Sequence, residues 1–333
     1  MGGFPLSRGN PPIREGTPPM SETATTTDKV SRAEFDEIVE RIRVWGKPGA
    51  DGQPLFKRIT PGVTRAALQN IRSGEAISLG RPWAVEAAVD NRHPAIHYMS
   101  AVGDVLAHGD VEPTGYKDFI GVDYHGKTMS HIDAFSHIAY KDQIFGGISA
   151  SESLTSTGMA NGDVTLFGSL ITRGVLIDMA RYAQVPWTEP GTAWSLEQIQ
   201  EALEQQAVVL QKGDAVLFRS GHDRRRAELG PWDPDASGAG VHVRAMEWLF
   251  EQGVAILGAD GETDVRPSPV EGVTLPIHVL ALTMAGVPLL DNLDLDALGD
   301  ACQDKGQYDF ALVVTPLNIP KGTGSPVNPA AIF

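Results

Sequence analysis

Four stretches of the chain repeat apolar residues at three- and four-residue intervals, the period of a helix with one buried face. In the first, Ser31 and Glu34 form a capping-box pattern ahead of Phe35, Ile38, Val39 and Ile42. A second, short helix is predicted over 64–72, stopped near Gly74. The third covers 195–205, with Ser195 and Gln198 as the cap and Leu196, Ile199 and Leu203 as the stripe. The fourth covers 241–252 and ends at Gly253. Between them lie short apolar runs of strand length at 175–177, 215–218, 254–257, 287–290 and 310–314. Several lead into a group with chemistry: Asp178, then Arg219 and His222, then Asp260, then Asp291. Strand ends are a common place to hold a site on a rigid sheet. There is no repeat, no heptad pattern and no linker after residue 31, so the pattern predicts one catalytic α/β domain over 31–333.

Residues 1–30 are rich in Pro, Gly, Ser and Thr and have little to bury, which predicts a flexible, disordered tail. Met20 is an alternative start within it. The chain has 333 residues, 42% hydrophobic and 21% charged, with 36 Gly and 23 Pro, a globular, loop-rich profile. No run approaches 18 uncharged apolar residues, so no membrane span is expected. The net charge of −15 lacks a basic patch beyond Arg224, Arg225 and Arg226, which disfavours nucleic-acid or anionic-membrane partners. The single cysteine, Cys302, excludes an intrachain disulfide and a cysteine-based zinc site. It falls in a helical pattern and reads as a packed thiol, which fits a cytoplasmic location.

One segment changes the picture. Residues 125–137 carry His125, His131, Asp133 and His137, three of the nine histidines bracketing an aspartate. Imidazole and carboxylate are the ligands that zinc or manganese prefers. His131 and Asp133 are two apart and share a side on an extended strand, whereas a helix would separate them. Six residues of strand span about 20 Å, so His137 reaches the same point only if the chain turns after Asp133. The spacing predicts a strand delivering His131 and Asp133, then a turn or helix start returning His137.

Other motifs are missing. There is no Gly-x-Ser-x-Gly elbow, no Walker A loop, no Gly-x-Gly-x-x-Gly after a strand and no His-Glu-x-x-His. The glycine-rich stretch 322–325 precedes Pro326 rather than a helix and reads as a structural turn. On spacing alone, His278 reads as a capping histidine and Asp291 as a surface acid at a strand end. Trp83, Phe135, Phe145 and Trp232 read as core packing rather than pocket lining.

The His131-Ile-Asp-Ala-Phe-Ser-His137 segment resembles the His-x-Asp-x-x-x-His core of the cyclase family of metal-dependent hydrolases, which includes bacterial kynurenine formamidases and isatin hydrolases. Stretches 212–219, 257–260, 276–278, 290–293 and 322–329 resemble blocks of its longer members, so the likeness covers roughly 60–333. It implies a swivelling β/β/α fold and one or two Zn2+ or Mn2+ ions. The implied ligands are His131, Asp133 and His137, with Asp291 and His278 from later in the chain. It also implies a homo-oligomer, a dimer or tetramer. The pattern of shorter members departs here: Lys127 stands at their first histidine, Met129-Ser130 at Gly-Thr, and Phe135 at Pro. His125, two residues earlier, is the candidate replacement.

A divalent ion with an open position lowers the pKa of bound water and polarises a carbonyl. The expected function is therefore hydrolysis of an amide, formamide, lactam or lactone bond in a small molecule, by attack of the bound hydroxide on the carbonyl. His125, His137 and His222 are the candidate proton carriers. Competing readings are ring closure of the polyketide-cyclase type and a small-molecule binder that has lost activity.

Overall fold

The computed structural model describes residues 28–47, 52–103 and 115–333. The tail over 1–27, and Met20 with it, lies outside the described residues. Of the last three residues of the predicted 1–30 tail, Asp28 and Lys29 are exposed but Val30 is packed: it is buried, bridges Val270, and donates to Pro269 O.

Helix α1 (Arg32–Ile42) forms where the stripe predicts it, with Ser31 Oγ accepting from Glu34 N and Phe35, Ile38, Val39 and Ile42 buried. Helix α2 (Pro61–Gln69) starts three residues before the predicted 64–72, because Thr60 caps it and Pro61 occupies its first turn. Helix α3 (Leu196–Gln205) carries the full capping box between Ser195 and Gln198. The predicted helix over 241–252 is shorter. Val241 is drawn into a parallel pairing with Trp194, a 3-10 turn follows, and α-helix covers only α4 (Met246–Glu251). Gly253, at φ +95°, ends that segment as predicted.

Among the described residues nine strands build one mixed sheet: β1 (Ala76–Ser78), β2 (His131–Asp133), β3 (Leu170–Asp178), β4 (Ala215–Arg219), β5 (Ile256–Ala259), β6 (Leu289–Asp291), β7 (Asp309–Val314), β8 (Gly324–Pro326) and β9 (Ala330–Ile332). Their order in space is β1-β9-β7-β3-β4-β5-β6-β2-β8. The centre, β3 to β6, is parallel and buried on both faces, which explains its unbroken apolar runs. Antiparallel strands extend it on both sides. The predicted runs at 254–257 and 287–290 sit one or two residues early, since Val254, Ala255 and Val287 are buried linkers into the ladder rather than part of it.

The groups at the strand ends part company. Arg219 is fully buried between Asp178, at 3.0 Å, and Asp296, at 2.5 Å. Such a group removed from water needs paired charges to persist. Asp260 accepts from the backbone N of Ser220, Gly221 and His222 and from Ser220 Oγ. Of the four acidic or basic strand ends, only Asp291 faces the histidine segment.

Candidate metal centre

Strand β2 lies between β6 and β8, and its register decides the site. Asp291 is paired directly with His131 across the antiparallel ladder, so the two share a face, and Asp133 lies on that face two residues further along. After Asp133 the chain leaves the sheet in a turn closed by His137 N donating to Ala134 O at 3.0 Å. That turn brings His137 Nε2 back to 3.9 Å from Asp133 Oδ2. It is a turn alone, with no helix start. Phe135 inside it packs against Phe56, Phe145 and Phe167, anchoring the return in the core.

His278 arrives from a helix, α5, that is α-helical at Pro276–His278 and continues as a π-helix over Val279–Ala285. Its Nε2 lies 3.3 Å from Asp291 Oδ2 and 3.4 Å from Asp133 Oδ2. His278, in the first turn of its helix but with no capping contact from its side chain, and Asp291 are thus buried members of one cluster, not a capping histidine and a surface acid. His131 Nε2 stands 3.4 Å from Asp133 Oδ1. His125 joins from the segment before β2: its Nδ1 is 2.9 Å from Asp133 Oδ1, and its ring stacks on His137 with centroids 3.8 Å apart.

Asp133 lies at the centre, fully buried. Its two oxygens, His125 Nδ1 and Asp291 Oδ1 are four of the ten buried side-chain polar atoms without a hydrogen-bond partner among the described residues. A lone acceptor buried without a donor costs about 1–3 kcal/mol, more when charged. Buried, unpartnered atoms on Asp133 and His125 beside three further imidazoles are the arrangement a cation neutralises. Two groups of three offer ligand atoms close enough to share an ion, His125-His131-Asp133 and Asp133-His137-His278, with Asp133 common to both. Nitrogen and carboxylate oxygen donors, with no thiolate, suit zinc or manganese. The residues fit the group.

The far nitrogens are held. His131 Nδ1 lies 2.8 Å from Met129 O, and His278 Nδ1 lies 2.6 Å from Asp264 Oδ2. His125 Nε2 is 2.9 Å from Thr323 Oγ1. Each contact leaves the opposite nitrogen for the centre. Asp264 also accepts from the backbone N of Ile277 and His278, so one carboxylate both starts α5 and orients its histidine.

Charge is distributed accordingly. Burial acts against ionisation of Asp133, yet the imidazoles of His137 and His131 hold its carboxyl well below the usual range. Burial pushes Asp291 up, assisted by the charge of Asp133. Burial also brings His137 down to about 4, with His125, His278 and His131 adding to the effect, so its ring is neutral at pH 7 with a free lone pair. For His278 burial is outweighed by the carboxylates of Asp133, Asp264 and Asp291 around its ring, which raise it well above its ordinary value. A proton there occupies part of the place a metal would neutralise.

The structure does not bring His222 into this cluster. Its ring packs on Trp232 with centroids 4.5 Å apart, and its backbone N donates to Asp260. Burial and then Arg81 hold it well below its ordinary value. The strand-end reading placed it near the site because β4 points that way, but the left-handed Gly221 turns the chain aside. Trp232 lines the adjoining pocket with Lys127 and Glu262 rather than packing in the core, and Trp83 is 40% exposed. The stretch 322–325 is a turn only at its start. Gly324–Pro326 forms β8 against β2, and a Cβ on Gly324 would lie 2.5 Å from Ile132 O. Cys302 is a packed thiol, pushed by burial up to about 12.

The buried His/Asp centre on β2, one strand in from the edge of the mixed sheet, defines a metal-capable α/β protein. Residues 77–263, more than half of the chain, match the family model described as "Putative cyclase", and the chain belongs to that cyclase family. A crystal structure of a novel cyclase is similar at 27% identity and TM-score 0.77, covering 89% of this chain and 99% of the other. Isatin hydrolase A from Labrenzia aggregata, bound to benzyl benzoate, shares the fold at 19% identity and TM-score 0.56, covering 78% and 93%. Isatin hydrolase A from Ralstonia solanacearum does so at 19% and 0.53, covering 82% and 98%. No curated protein sequence matches. The swivelling β/β/α expectation agrees with these relatives.

Proposed function

We propose that this chain is a metal-dependent hydrolase that opens an amide, formamide, lactam or lactone bond in a small molecule. In this reading His131, Asp133, His137, His278 and Asp291 hold Zn2+ or Mn2+, and His125 completes the shell in place of the histidine that Lys127 replaces. The observation that carries it is the buried Asp133, whose two unpartnered oxygens are shared by two sets of histidine ligand atoms. The names of the isatin hydrolase relatives support hydrolysis as the reaction.

When bound, the ion supplies a lowered pKa for water and polarisation of a carbonyl. The chain's own residues do the rest. Met129 O and Asp264 set the tautomers of His131 and His278. Asp133 presents both oxygens, so one or two ions can share it. His125 and His137 are the least buried imidazoles of the cluster, with side chains 21% and 23% exposed. With a single ion held by the His125-His131-Asp133 group, His137 is free of the metal and is the imidazole able to take a proton from water and deliver it to a leaving nitrogen or oxygen. A cleft of about 270 Å3 opens beside His125, lined by Asp90, Arg92, His93 and Lys127, which suits a small polar substrate. A cytoplasmic setting belongs to the same reading, supported by the single free thiol.

The test is metal analysis of the purified protein with turnover of N-formyl, lactam and lactone compounds. Bound zinc or manganese, ring-opened or deformylated acid as product, and loss of both on chelation are expected. A chelated sample that loses neither ions nor turnover would overturn the reading. Metal without turnover would favour a binder, and conversion only of linear polyketides a cyclase.

A further inference from the structure

An open basin of about 800 Å3 lies between the end of α1 and the start of α2 and shares no residue with the metal cluster. Its walls are tied to the far end of α5. Val44 N donates to Met284 O and Phe56 N to Gly286 O, both at 3.1 Å, whereas His278 sits in the first turn of that helix. Arg41, Arg43, Lys47, Lys57, Arg58 and Lys212 line the basin, and among the described residues no acidic side chain does. With 42 acidic and 27 basic residues in the chain, this reverses the overall balance. The six come from separate segments, so no basic run marks them in the sequence. Arg41 and Arg43 are balanced at the rim by Glu247, at 2.9 Å, and Glu40, at 2.5 Å. Lys47 and Arg58 are anchored by backbone carbonyls, Lys47 on Glu40 and Arg41 and Arg58 on Phe250. Lys57 and Lys212 are exposed, and neither has a carboxylate partner among the described residues; Lys57 lies over the Phe56 ring at 4.8 Å.

Like charges gathered without acids repel one another, and an anion entering between them removes that cost. Further features shape the anion. Helix α2 begins at the basin through Thr60 and Val63, and its start adds partial positive charge. Gly213 packs so closely on Arg58 O and Val63 that an added Cβ would lie 3.0 Å and 2.9 Å from them, which holds the neighbouring Lys212 to the same wall. Ile42, Val44, Pro54, Leu55 and Val63 give the rest of the lining an apolar face. The volume falls within the range of small-molecule sites, about 300–1,000 Å3. A net charge of −15 turns away membranes and nucleic-acid polymers, whereas a small anion meets only the local field. We propose that this basin binds an organic phosphate of nucleotide size. Its phosphoryl groups lie on Lys57, Arg58, Lys212 and the start of α2, and its apolar body on Val44, Leu55 and Val63. Phosphate suits both a lysine point charge and an arginine fork. The site goes beyond the hydrolase reading and does not depend on it.

Calorimetric titration of the whole protein with ATP, inorganic triphosphate and adenosine tests the site. ATP should bind once per chain, triphosphate several-fold more weakly, and adenosine least. Lys57→Glu with Lys212→Glu should keep the melting temperature and weaken ATP at least about tenfold, since each change removes a charge-assisted contact. Phosphates also ligate metals, so the titration is repeated with Asp133→Asn, in which ATP affinity should be unchanged. Hydrogen exchange on the wild type gives a reading that needs no variant: amides of 56–64 should slow when ATP is added. No saturable ATP binding, triphosphate binding as tightly as ATP, or exchange over 56–64 indifferent to ATP would overturn the proposal. So would ATP binding that survives the lysine changes and is lost with Asp133→Asn, which would put the phosphate at the metal centre. Failure of the hydrolase reading would show in metal content and turnover and leave these titrations as they are.

Discussion

An imidazole is a directed ligand only if its other nitrogen is held, and here that task falls to residues the histidine motif does not contain. Asp264 is the clearest. Its contact to His278 Nδ1, at 2.6 Å, fixes the ring, and its backbone contacts start the helix that carries it. A trace of this role was present in the sequence: Leu275 precedes Pro276 where a capping Ser, Thr, Asp or Asn would normally stand. The first turn of that helix therefore needed an acceptor from elsewhere, but spacing does not say which acid supplies it. Asp264→Asn keeps an acceptor for the helix start while removing the charge behind His278. It should leave the melting temperature near that of the wild type and weaken metal affinity about 10- to 100-fold, the usual cost of losing such a partner. Competition against a calibrated chelator reads this directly, and unchanged affinity would remove Asp264 from the account.

At the level of elements, caps and stripes were legible because they are local. Ser31 with Phe35, Ile38, Val39 and Ile42, and Ser195 with Gln198, carry their instructions within one or two turns. Strand limits were less so. Val254 and Val287 have strand-forming side chains, but where the ladder begins depends on the neighbouring strand. Strand β8 shows the limit best. A Gly-Thr-Gly-Ser stretch reads as a turn by composition, yet Gly324 is in the sheet because only a bare Cα fits there. An added Cβ would meet Ile132 O at 2.5 Å and His125 Cε1 at 3.0 Å. Gly324→Ala should therefore cost about 1–3 kcal/mol by overpacking. Because the displaced strand lies against Ile132, between two proposed ligands, metal content should fall as well. Gly115→Ala, with open space around it, should stay within about 0.5 kcal/mol. Denaturant unfolding of the pair separates a packing effect from a general intolerance of alanine.

Across the whole molecule, the cluster joins segments more than 150 residues apart in the chain: β2 pairs with both β6 and β8. Local periodicity names the strands but not their partners, so the placement of Asp291 beside His131 came from resemblance rather than from spacing. Burial at the opposite, N-terminal ends of the parallel strands has its own consequence. Asp214, immediately before β4, is 2% exposed, and burial pushes its carboxyl up to about 6, although Arg173 at 3.5 Å pulls the other way. Its unfolded value is near 3.8. The folded state therefore binds the extra proton between these values, and stability from this group is full below about pH 4 and lost as pH rises through 6. That displacement is worth on the order of 3 kcal/mol. Glu262, held down to about 2 by Lys127 and Arg266 against its burial, contributes in the opposite sense at lower pH, so the total curve mixes signs. The difference between wild type and Asp214→Asn isolates the contribution of this carboxyl. Asparagine retains an oxygen to accept from Gln211 N, now 2.7 Å from the carboxylate. The variant should match the wild type near pH 4 and exceed it by up to a few kcal/mol at pH 7. A difference that does not change with pH would mean that Asp214 is already ionised throughout, its charge balanced by Arg173.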